Sequence, residues 1–226
     1  MSNIENPSAI AHEAVAKLYA VAQSSMKIAT LDECANPELT TIKLEYIPTG
    51  NAPAACLLTF RDGDENGSPC RVPLEKVATA ITNGRPILPQ LLQAMGFTDV
   101  ADRAKDRGFA EICTLESAVV HGYRIFLRHD AAQQPSEDLG HVDTGPQGYA
   151  LRITPPKTAD DRKARWFGIS KEAVAAAVAS GESLFKHALL DDPSALRFLS
   201  SAIPEVERIV IAAGIGAAPK APSRSL

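Results

Sequence analysis

An α+β fold follows from three observations on this chain of 226 residues. Thr40 to Ile47 alternates, with Ile42, Leu44 and Tyr46 on one face and Lys43 and Glu45 on the other, as in a half-buried strand. Cys70 to Leu88, CRVPLEKVATAITNGRPIL, runs a short strand into a helix closed by Gly84, and a second apolar segment follows. Phe167 to Phe185, FGISKEAVAAAVASGESLF, repeats that plan. Aligning Gly84 with Gly181 pairs Val72 with Ile169, Glu75 with Glu172, Val77 with Val174, Ile81 with Val178 and Ile87 with Leu184. The expectation is two similar hairpin-plus-helices modules, as an internal duplication produces, with antiparallel sheets carrying helices on one face.

Residues 8 to 29 read as an N-terminal amphipathic helix, since Val15, Leu18, Tyr19, Ala22 and Met26 fall on one stripe. Its polar face lacks the basic residues of a membrane-surface helix, so the stripe is assigned to packing. Strands are expected at 40–47, 54–60 and 70–73, with helices at 74–83, from Pro86 to Met95, and at 99–107. Glu111 to Leu115 and Val119 to Arg128 follow as strands. From His129 to Gly148 the periodicity stops, and a run of that length is usually a linker or a functional loop. Tyr149 to Thr154 and Lys163 to Ile169 resume as strands. Ser170 caps a helix ending at Gly181, and further helices are expected at 184–190, 193–201 and 204–213. The organisation expected is therefore 1–130 for the helix and first module, 131–148 for the connecting stretch, and 149–226 for the second module with a disordered tail.

Composition narrows the roles. A formal net charge of −4 excludes binding of nucleic acid by a bulk positive field, though not through a local basic patch. No apolar run reaches the roughly 18–20 residues of a membrane span, and MSNIENPS lacks a secretory pattern, so a cytoplasmic protein is expected. Cys34, Cys56, Cys70 and Cys113 are far apart without a CxxC pair, which reads as reduced thiols and not as a zinc site.

No catalytic signature is present. Asp62 to Gly67 begins like a calcium loop, but Pro73 stands where a bidentate glutamate belongs, so the segment reads as a turn. His121, His129 and His141 fit no metal-ligand spacing. Ser24 to Lys27 matches Ser-x-x-Lys without its companion motifs. No metal and no cofactor are expected. The sharpest feature is Arg162-Lys163-Ala164-Arg165-Trp166, where cations stand beside the sole tryptophan. Arg162, Lys163, Arg165 and Trp166 together form a candidate contact patch for single-stranded DNA or a protein partner, the cations on phosphates and the indole on a base.

The run LLTFRDGDENGSPCRVPLEKVATAITNGRPILPQLLQAMGF resembles the domain of unknown function that precedes the ATPase in helicase-like replication proteins of bacterial mobile elements. The resemblance spans about Ala55 to Arg128 and rests on Phe60, Asp62, Pro73, Gly84, Leu92 and Gly96. It implies a mobile-element protein working near DNA replication. The P-loop ATPase of that family has no counterpart here, so no motor activity and no catalytic residue are implied. The expected function is non-catalytic binding, through DNA or protein contacts. The alternative is an anti-defence inhibitor of a host nuclease or CRISPR effector, using Asp62, Asp64, Glu65, Glu137, Asp138 and Asp143 to mimic nucleic acid or plug a basic cleft.

Overall fold

The computed structural model describes residues 7–22, 29–36, 40–50, 52–62, 65–66, 68–106, 112–130, 148–157, 163–201 and 207. The apolar stripe near the N-terminus forms helix α1 (Pro7–Ala22), burying Ala14, Val15 and Leu18. The helix does not continue to residue 29, where the strand β1 (Ala29–Asn36) opens instead. Sequence reading misses β1 because a bulge breaks its alternation. Thr30 lies opposite Glu45 and Asp32 opposite Leu44, so Leu31 is an extra residue and both Leu31 and Asp32 are buried.

β1 pairs antiparallel with β2 (Thr40–Ile47), and β2 with β3 (Ala55–Asp62). The short strands β4 (Glu65–Asn66) and β5 (Cys70–Val72) both pair with β3. Helices α2 (Leu74–Asn83), α3 (Leu88–Ala94) and α4 (Thr98–Asp106) follow. A second antiparallel sheet then forms in the order β6 (Ile112–Val120), β7 (Tyr123–Asp130), β8 (Gly148–Thr154) and β9 (Arg165–Gly168). It leads into α5 (Lys171–Ser180), α6 (Leu184–Asp191) and α7 (Pro193–Ser200). The fold is α+β as expected. Each module is an antiparallel meander followed by helices, more than the single hairpin read from sequence. The helix expected at 204–213 lies outside the described residues apart from Glu207.

The sequence boundary at 131–148 needs correction. β6 and β7 belong to the second sheet, so that stretch separates neighbouring strands of one sheet, and the change of sheet falls between α4 and β6. A long connection between adjacent strands and an interdomain linker look alike in sequence, because neither carries periodicity.

The two modules match position by position. In α2 the buried residues are Val77, Ala78, Ala80 and Ile81, and in α5 they are Val174, Ala175, Ala177 and Val178. Ile87, Leu88, Leu91 and Leu92 correspond likewise to Leu184, Phe185, Ala188 and Leu189, all buried. The bulge recurs, for Thr114 lies opposite Arg128 and Glu116 opposite Leu127, with Leu115 the extra residue. Thr30-Leu31-Asp32 thus has a counterpart in Thr114-Leu115-Glu116. Internal duplication accounts for these coincidences in residue, burial and irregularity.

Equivalent elements meet each other. α2 packs along α5, and β1 lies beside β6. Contacts between like elements are what a local twofold axis gives. The first helix of each module also crosses over: α1 packs on α6 of the second module, and α4 on α3 of the first. The Tyr46 hydroxyl donates to the carbonyls of Ala177 at 3.2 Å and Glu182 at 2.5 Å, closing the end of α5. Nearby, the Thr49 amide donates to the Gly181 carbonyl at 2.8 Å.

Gly181 is the tightest point of this junction. Its φ is +74°, and a Cβ there would lie 2.8 Å from Cβ of Ala54 and 3.1 Å from Oγ1 of Thr49. Gly96 has φ +87° but open space around it. Gly181→Ala is expected to cost about 3 kcal/mol, from left-handed strain plus overpacking, and Gly96→Ala about 1–2 kcal/mol from strain alone. Urea midpoints of the two variants check this; equal losses would remove the tight junction from the account.

Candidate functional site

The structure divides the patch expected at Arg162, Lys163, Arg165 and Trp166. Arg162 lies outside the described residues, and Lys163 is exposed ahead of β9. Successive strand residues point to opposite faces, so Arg165 and Trp166 part company. Arg165 turns to the helix side, with its guanidinium carbon 5.8 Å from the Phe198 ring centroid. Trp166 turns to the other face, under the guanidinium of Arg152 at 5.3 Å. Arg165 and Trp166, adjacent in sequence, therefore do not share one surface.

Strand register shows what joins Trp166. Ile125, Leu127, Leu151 and Ile153 are almost fully buried and form the helix-facing side of the second sheet. Phe167 and Tyr123 share that side and pack on Phe198 of α7. The opposite, outer side has Phe126 beside Arg152 and Arg152 beside Trp166, in one row across β7, β8 and β9. Arg124 and Arg128 stand two residues to either side of Phe126, hence on the same face. Val119, opposite Arg124, is 49% exposed and extends the face to β6. Among the described side chains of this face, the charged ones are the three arginines Arg124, Arg128 and Arg152.

The equivalent face of the first sheet is built differently. Glu33, Lys43 and Thr59 form one row there, and Thr30, Glu45, Leu57 and Arg71 the next. Lys43 and Glu45 pair at 2.9 Å. Among the described side chains, that face carries both signs of charge, whereas its counterpart carries arginines and aromatics. The arginines were legible as outward positions in the alternating runs around Arg124, Arg128 and Arg152. Their convergence on Trp166 needed the strand pairing.

The described interior holds one marked polar constellation. Asp32 is fully buried, paired with Arg85, and accepts from the amides of Ile87 at 2.9 Å and Leu88 at 3.1 Å. It thereby caps α3 and ties β1 to the loop after α2. Arg85 also donates to the Leu31 carbonyl at 2.7 Å. Burial raises the Asp32 carboxyl, and Arg85 and the backbone amides pull it back. His129, on the helix-facing side of β7, meets the Tyr149 ring edge-on at 4.7 Å. Burial, and then the charge of Arg85, push its pKa down to about 4.

The remaining candidates scatter. His121 occupies the tight turn between β6 and β7 with φ 47°, and His141 lies outside the described residues. Among the described residues no group of three His, Cys, Asp or Glu is placed to hold a metal. Cys34 and Cys56 are buried and Cys70 is half-buried. Asp64, Glu137, Asp138 and Asp143 lie outside the described residues; the backbones of Asp62 and Glu65 pair with each other between β3 and β4. A concavity of about 570 Å³ between the β2–β3 connection and the end of α5 is lined by Thr49, Pro53, Ala54, Leu74 and Ser180 among others, with no ionisable side chain. No described helix is long and apolar enough to cross a membrane. No family model, curated protein or solved structure matches the chain.

Two outcomes follow for the polar constellation. Asp32→Ala leaves Arg85 and two amides without their acceptor and is expected to cost about 3–5 kcal/mol in urea unfolding. His129 has a folded pKa below its unfolded value, so the native state binds fewer protons and gains stability above pH 6.5. That contribution is lost as pH falls from 6.5 towards 4, by up to about 3 kcal/mol. The urea midpoint of the wild type should therefore drop more steeply over this window than that of His129→Phe. Parallel curves would show that His129 is not held neutral by the fold.

Proposed function

We propose that this chain is a non-catalytic binding protein that contacts nucleic acid through the outer face of its second sheet. The observation carrying the reading is the contrast between the duplicated faces. One alternates Glu33, Lys43, Glu45 and Arg71, while the other carries Arg124, Arg128 and Arg152 with Phe126 and Trp166. Arginine supplies planar, persistent charge suited to phosphate, and it stacks on aromatic rings as Arg152 does on Trp166. A local cationic face also reconciles nucleic-acid binding with a net charge of −4.

The resemblance of about residues 55–128 to a domain of mobile-element replication proteins supports placing this binding in a phage, plasmid or integrative element, near DNA replication. Under this reading the first module is scaffold and the second carries the contact.

Electrostatic contact releases counterions, so affinity should fall as salt rises. Each arginine that meets a phosphate should contribute about −0.7 to the slope of log K against log salt for a single strand. Arg124→Ala, at an exposed position, should weaken binding several-fold and flatten the slope by about 0.7. Fluorescence anisotropy of a labelled oligonucleotide measures both. No binding at 20 mM salt, or binding unaffected by Arg124→Ala and by Arg128→Ala, would remove the proposal.

A further inference from the structure

We draw no further inference here: the strongest candidate, the open concavity between the β2–β3 connection and the end of α5, is lined by apolar and small polar residues without an ionisable side chain, and nothing in the structure shows what covers it.

Discussion

The contact on which the rest of this molecule depends is the seam between α2 and α5. Each helix contributes two alanines flanked by larger aliphatic residues: Ala78 and Ala80 with Val77 and Ile81, Ala175 and Ala177 with Val174 and Val178. Small side chains let the helices approach closely, and the flanking branched residues supply most of the buried area, at about 1.5–3 kcal/mol each. The aromatic content of 5% leaves few large anchors for a core, so close helix approach takes their place. Once that seam is set, the local twofold brings β1 beside β6. It also brings the Tyr46 hydroxyl to the end of α5 and His129 into the field of Arg85 at the end of α2.

The buried carboxylate of Asp32 shows how an irregularity can be structural. The bulge at Leu31 turns Asp32 inward, where it binds Arg85 and the first amides of α3. A buried acid costs desolvation, and only a full set of donors offsets it. The second module keeps the bulge, with Glu116 at the position of Asp32. The shared irregularity argues for duplication more strongly than alanine-rich helices do, because a bulge with matching residues does not recur by composition alone.

Duplication also frees one copy to change its surface while the interior stays fixed. The inner positions of β2 and β7 remain Ile42, Leu44, Ile125 and Leu127. The outer positions diverge from a paired-charge pattern to arginines and aromatics. The inner positions are held by packing against the helices, so the two copies differ at the outer ones. The face of the second copy that bears arginines and rings is the surface on which a function is proposed.

The sequence by itself determined the fold class, the limits of α2 and α5 and the correspondence between them. Those features are local: a helix of ten residues ending at a glycine is written in adjacent positions. Sequence also marked Trp166 as the residue to watch. Only tertiary structure decided its neighbours. Strand alternation sent Arg165 to the helices, and cross-strand register brought Phe126 and Arg152 to Trp166 from distant parts of the chain. β1 stayed hidden because its bulge shifts the apolar period, and the second sheet's start stayed hidden because pairing is not a local property. Periodicity records which side of an element is buried, while the partner that buries it is chosen by the packing of the whole chain.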